Sequence, residues 1–342
     1  MHMASTSTPL ARKKSLVSVL LLFLTAFIWG MGFVAQRSGM EYIGPFLFNG
    51  MRQVLGVLTL VVVLVLMQVW SKARGSSRKS GLVKADPAQK GSLSILGIQL
   101  GSKRTILVGG LICGLVLFVA SNLQQIAMVT TAASKAGFIT TLYIVLVPLI
   151  GIAFRHKTRW NTWLSVGIAV IGLYLLCISE SFTIAPGDIL LLGCSLFWAF
   201  HILFIARFVP GLGQRELMAL CTIQFLVSAL LSLVCSPFFD SYFVSVPLSM
   251  NAVFEVMPEI AYAGILSTGV AFTLQAIGQK NAPPTPAAIV MSFESVFALL
   301  GGAVLLSEVL SGREVWGCLL MFIAVILAQL TFKRKSSNPQ RE

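Results

Sequence analysis

One carboxylate stands inside a stretch otherwise suited to hydrocarbon. Residues 283–306, PPTPAAIVMSFESVFALLGGAVLL, carry Glu294 near their middle. At about 1.5 Å per residue this stretch is long enough to cross a bilayer core of about 30 Å. A charge at the bilayer centre costs about 2.5–3.5 kcal/mol on insertion scales, so a chain that keeps one there gives it a cavity, a partner or a task. Two tasks suit a lone carboxylate. It can pair with a substrate amine, or it can take up and release a proton during a cycle. The bland alternative is a protonated Glu294 hydrogen-bonded to a neighbouring helix, with a structural role only.

Other polar and aromatic residues lie within apolar stretches and could share a site with it. Arg52 offers a planar fork that matches a carboxylate, or it snorkels to the outer interface. His201 is either a neutral residue satisfied by a neighbouring helix or a proton relay. Trp29 and Trp198 suit an aromatic cavity wall as well as plain packing. Tyr143 offers a hydroxyl, and Gln124 and Gln275 each offer a carboxamide. No G-x-x-x-x-G-K-[ST] motif is present, so ATP is not expected to drive any process. No G-x-S-x-G nucleophile turn and no His/Asp/Glu group with ligand spacing occurs, so neither an enzyme nor a metal or cofactor is expected. Gly109, Gly110, Gly114, Gly301 and Gly302 fit close helix packing better than phosphate binding.

These residues must be positioned by elements that live in lipid. The chain has 342 residues, 56% of them hydrophobic and 11% charged, against roughly 25% charged in a soluble domain. Backbone groups in lipid must be paired internally, and the apolar runs are about twenty residues long without strict alternation, so they are helices. Ten spans are expected, at about 15–36, 44–69, 105–128, 132–154, 161–179, 188–206, 217–236, 257–277, 283–306 and 315–332. Residues 1–14 and 333–342 read as tails, and 71–104 as a flexible linker rich in Ser, Gly and Lys/Arg. The six cysteines are scattered and show neither metal spacing nor a disulfide framework.

The charge pattern supports the count. A net charge of +13 would suggest nucleic acid in a soluble protein; here the basic residues lie mostly between apolar stretches and report topology. With both termini in the cytoplasm, 21 of the 25 Lys and Arg residues fall inside. Only Arg37 and Arg313 fall outside, and Arg52 and Lys135 lie within spans.

The two halves, 15–179 and 188–332, resemble each other. At a shift of 151, Gln124 meets Gln275, Ile126 meets Ile277, Ala136 meets Ala287, Val145 meets Val296, and Tyr143 meets Glu294. At a shift of 169, FIWGMGF meets LFWAFHI with Trp29 on Trp198. Five spans per half is an odd number, so the second half enters the membrane from the opposite side. An inverted repeat of this kind places a substrate site near the midplane between the halves.

FIWGMGF, Arg52, KAGFITTLYIVLVPLIG at 135–151 and SFESVFALLGGAVLLSE at 292–308, with Gly317 beyond, together resemble the EamA-type branch of the drug/metabolite transporter superfamily over almost all of 15–332. The resemblance implies an all-α polytopic membrane protein with ten transmembrane helices in two inverted five-helix repeats. It also implies a secondary transporter that exports small metabolites, often amino acids or related amines. The 71–104 linker is longer than the family leads one to expect. The expected substrate site comprises Glu294, Tyr143, Arg52, Trp29, Trp198, His201, Gln124 and Gln275. The partners are a small-molecule substrate and the bilayer, with no nucleic acid; oligomers are compatible. The expected location is the plasma membrane, or the inner membrane of a Gram-negative cell. The competing readings are a non-transporting receptor or scaffold and an intramembrane enzyme.

Overall fold

The computed structural model describes residues 9–75, 93–95, 98–100, 102–131, 133–153, 160–177, 186–243, 249–280, 282–306 and 312–330. Apart from one small strand pair, its regular elements are helices. In the first half they are α1 (Pro9–Gly39), α2 (Pro45–Gly75), α3 (Ser102–Ala127), α4 (Ala133–Thr140), α5 (Tyr143–Ala153) and α6 (Trp160–Cys177). The second half contains α7 (Pro186–Phe208), α8 (Gln214–Phe239), α9 (Met250–Glu255), α10 (Met257–Ala261), a π-helical segment Tyr262–Ala271, α11 (Phe272–Gln279), α12 (Pro284–Met291), α13 (Glu294–Leu306) and α14 (Gly312–Leu330).

Eight helical stretches among the described residues are long and apolar enough to cross a membrane, and two shorter apolar helices lie within α6 and α14. The expectation of ten full spans is therefore met by eight of full length. The outer surface fits lipid contact. On α1, Leu16, Leu20, Leu24 and Phe27 are all exposed, at the i, i+4 spacing of one helix face.

Two boundaries differ from expectation. The tail expected over 1–14 is helical from Pro9 onward, because Pro is at home in a first helical turn and Leu10–Lys14 are good helix formers. Residues 1–8, and the tail at 333–342, lie outside the described residues. The expected linker 71–104 is shortened at both ends, since α2 runs to Gly75 and α3 starts at Ser102. Within it, strands β1 (Leu93–Ile95) and β2 (Ile98–Leu100) pair antiparallel, Leu93 with Leu100 and Ile95 with Ile98. The alternating Leu and Ile of this segment carry the period of a strand; the polar composition of the linker as a whole hides it.

The halves are interleaved. From the first half, α1 packs on α10, the π segment, α11, α12 and α13 of the second. From the second half, α7 packs on α3, α4 and α5 of the first. Helices in matching positions also meet, α2 with α8 and α6 with α14. Small residues allow the close approaches. A Cβ at Gly110 would lie 2.6 Å from Ile223 Cγ2, and one at Gly114 would lie 2.7 Å from Val227 Cβ, so α3 and α8 touch nearly backbone to side-chain stem.

Candidate functional site

The site begins where two helices break. Between α4 and α5 the chain turns at Thr141 and Leu142, and between α12 and α13 it turns at Ser292 and Phe293. The breaks share one local feature. Thr141 Oγ1 donates to the carbonyl of Phe138 at 2.8 Å, and Ser292 Oγ donates to that of Ile289 at 2.8 Å. Each hydroxyl takes a carbonyl three residues back and competes with the helical ladder. Phe138 and Ile289, like Thr141 and Ser292, are 151 residues apart. The first helical residues beyond the two breaks are Tyr143 and Glu294. They face each other, and Tyr143 Oη donates to Glu294 Oε1 at 3.1 Å. Gly30 brings α1 onto the same spot, since a Cβ there would lie 2.5 Å from the Glu294 carbonyl oxygen.

Beside this pair lies a cavity. Glu294, Tyr143, Arg52, Trp29, Trp198, Gln124 and Gln275 all line it. Seven of the eight expected site residues, drawn from both halves, thus meet at one place. His201 does not line it. It lies behind Trp198, with ring centroids 5.7 Å apart, fully buried, and its Nε2 shares a 3.1 Å hydrogen bond with Gln224 Oε1.

A chain of hydrogen bonds forms one polar wall. Gln36 Oε1 accepts from Arg52 Nη1 at 3.0 Å and from Gln124 Nε2 at 3.1 Å. Gln124 Oε1 in turn accepts from Trp198 Nε1 at 3.0 Å. Arg52 is held on a braced helix. One turn before it, Asn49 Nδ2 donates to the Ser121 carbonyl and to Asn122 Oδ1 at 2.9 and 3.0 Å. Asn122 Nδ2 continues to Ser232 Oγ at 2.9 Å. At the start of α2, the Asp240 carboxylate accepts from the backbone N–H of Phe46 at 2.8 Å and of Leu47 at 2.9 Å, a charged cap on a helix N-terminus.

From Trp198 the lining continues as an aromatic cluster. Trp29 and Trp198 lie 6.2 Å apart, and Phe272 sits 4.7 Å from the first and 5.7 Å from the second, ring centre to ring centre. Trp29 Nε1 donates to the carbonyl of Ser267, in the π segment, at 3.1 Å. Such segments recur at functional sites.

Arg52 and Glu294 carry opposite charge into one cavity and make no ion pair with each other. A guanidinium suits a carboxylate, and a carboxylate together with aromatic faces suits an ammonium. The lining thus offers one partner for a carboxylate and one for an ammonium. Among the described residues no group of three or more His, Cys, Asp or Glu side chains could hold a metal ion.

Six lining residues are not among the expected site residues: Phe33, Thr140 and Ile202, which lie in the segments quoted above, and Gln36, Ser267 and Phe272. Helical periodicity contains part of the missing signal. Phe33 and Gln36 follow Trp29 by four and seven residues, Ile202 follows Trp198 by four, and Phe272 precedes Gln275 by three, all on shared helix faces.

The chain matches the EamA-like transporter family twice, over residues 16–178 and 185–330. It is similar to an uncharacterized transporter of Archaeoglobus fulgidus, 26% identical over 318 residues that cover 93% of this chain and 87% of the relative. It is also similar to the uncharacterized transporter YoaV of Bacillus subtilis (strain 168), 22% identical over 331 residues, 94% of this chain and 99% of the relative. One solved crystal structure of a protein aligns with a TM-score of 0.65 at 19% identity, covering 94% of this chain and 99% of its own; at that identity the likeness speaks for the fold alone.

Proposed function

We propose a transport cycle for this protein from the premise that the chain belongs to the EamA-like transporter family and is a multi-pass membrane transporter of the drug/metabolite transporter superfamily. In our reading it is a secondary transporter that moves a small metabolite, an amino acid or a related amine, out of the cell by alternating access. Glu294 couples the cycle to protons. The chain crosses the membrane ten times as two inverted five-helix repeats, with α6 and α14 as its two shorter spans. Both termini are cytoplasmic and the membrane is the plasma membrane, or the inner membrane of a Gram-negative cell. The protein performs no chemical conversion.

One observation carries this reading: a cavity between the halves holds Arg52 and Glu294 unpaired with each other, lined by residues of both repeats. A scaffold or receptor gains nothing from a buried cation and a buried carboxylate kept apart, whereas a carrier of zwitterions requires them. The matched breaks before Tyr143 and Glu294 support rocking of one repeat against the other about this point. The test is flux in proteoliposomes loaded with radiolabelled amino acids and amines, with and without a pH gradient. Efflux of at least one of them above protein-free vesicles, accelerated by inward-directed protons, is expected. No flux for any compound in the panel overturns the reading.

A further inference from the structure

Gln124 and Gln275 occupy matching positions and line the same cavity, yet their hydrogen bonding differs. Gln124 is engaged at both ends of its carboxamide, by Gln36 and by Trp198. Gln275 is 1% exposed, and neither its Nε2 nor its Oε1 meets a hydrogen-bonding group of the protein. The repeat supplies the reason. The shift of 169 that carries Trp29 to Trp198 carries Gln36 to Ile205 and Arg52 to Cys221. Of the polar neighbours that hold Gln124, Gln36 thus has no polar equivalent around its counterpart, and Trp29, the equivalent of Trp198, spends its indole N–H on the Ser267 carbonyl instead. A buried carboxamide left unpaired is destabilising, a cost that a bound ligand at a cavity wall removes.

Position fixes which part of a ligand would do so. Gln124 lies three residues before the end of α3, and Gln275 four before the end of α11. In inverted halves these helix ends face opposite sides of the membrane. On that reading Arg52, joined to Gln124 through Gln36, belongs with the opposite end of the cavity from Gln275. An α-amino acid that places its carboxylate on Arg52 and its ammonium on Glu294 has used both charged groups, so its side chain is what extends toward Gln275.

We propose that Gln275 is a specificity-determining residue that selects amino acids whose side chain ends in a carboxamide. Its Nε2 donates to the ligand's carbonyl oxygen while its Oε1 accepts from the ligand's amide N–H. The methylene stem packs along Trp29 and Phe272. This rests on the reading of the cavity as a site for amino acids, and it adds which amino acids.

The test is competition against radiolabelled glutamine flux in proteoliposomes. Methionine, close to glutamine in shape but with no amide, is the rival. In the natural protein, unlabelled glutamine should compete at a concentration at least about tenfold below that of methionine, since a site built to hydrogen-bond rejects an analogue that cannot. Gln275→Met, matched in volume, should bring the two within about twofold or reverse their order. Equal competition in the natural protein overturns the proposal without any variant, and means that the carboxamide is satisfied by water alone. A Gln275→Met protein that keeps the natural ratio also overturns it. Flux of other amino acids with none of glutamine defeats this proposal but leaves the transport reading standing; absence of flux for every amino acid and amine defeats both.

Discussion

Gln36→Glu separates the role of Arg52 in substrate recognition from its role in stability. Gln36 Oε1 accepts from Arg52 Nη1 at 3.0 Å and from Gln124 Nε2 at 3.1 Å. A carboxylate at this position keeps both acceptor contacts. It loses the 3.3 Å bond from Gln36 Nε2 to the Gly32 carbonyl and sets an oxygen against that carbonyl, a cost of about 1–3 kcal/mol that the charge-assisted bond to Arg52 offsets. The fold is therefore retained, but Arg52 now has a permanent counter-charge. A hydrogen bond to a charged group contributes about 1.5–3 kcal/mol. A substrate carboxylate that must compete with residue 36 forfeits up to that amount, or about 10- to 150-fold in affinity at 1.4 kcal/mol per factor of ten. The assay pairs an amino acid with its decarboxylated amine in equilibrium binding to purified protein. The amino acid should lose at least about tenfold in affinity, and the amine, which never used Arg52, should lose none. Equal loss for the two ligands, or loss for neither, refutes the assignment of Arg52 to a carboxylate.

Glu294→Gln keeps an acceptor for Tyr143 Oη but cannot release a proton. Net flux should lose its dependence on pH while exchange of labelled for unlabelled substrate continues; an unchanged pH profile in the variant refutes proton coupling at this residue. Asp240→Ala removes the acceptor for the Phe46 and Leu47 N–H groups and should destabilise the protein by about 1–2 kcal/mol, seen as a lower Tm in detergent, with an unaltered Tm refuting the cap. Gly30→Leu drives a side chain into the Glu294 carbonyl and Phe297 Cβ, each 2.5 Å from the position of a new Cβ. Overpacking of about 1–3 kcal/mol follows, and both Tm and flux should fall. A cysteine introduced between residues 76 and 92 should resist an impermeant thiol reagent added outside intact cells; efficient labelling there places the linker outside and reverses the topology.

The sequence discloses the site where residue type alone is unusual for its surroundings. Glu294 and Arg52 are charges inside apolar runs, and Trp29 and Trp198 are aromatic landmarks in register. Tyr143 matches Glu294 in the repeat, and the two touch. Gln36 was missed because it lies three residues before the end of α1, where a polar residue reads as an interfacial one. Its importance comes from Arg52 and Gln124, which only tertiary packing brings to it. The helix breaks were hidden as well. Thr141 and Ser292 are ordinary residues in apolar helices, and Ser195 makes the same bond to the carbonyl three residues back within an unbroken α7, so residue type does not disclose the breaks. His201 was a reasonable candidate by type, yet the step from Trp198 to Ile202 points into the cavity and the step to His201 points away.

The exchange of helices between the halves bears on how the chain is made. Most of the contact surface of α1 is supplied by α10 through α13, which leave the ribosome more than two hundred residues after it. For most of synthesis α1 has lipid where these partners will be, and the hydroxyl of Thr25 and the indole N–H of Trp29 wait for the carbonyls of Ala271 and Ser267. The N-terminal half therefore cannot mature as it emerges, unlike a domain that folds when its own last residue appears. A first half expressed alone should be degraded, and co-expression of the second half as a separate polypeptide should rescue it. Assembly of this protein is thus a late, single event, in which α7 finds its place among the early helices while α1 is captured by the late ones.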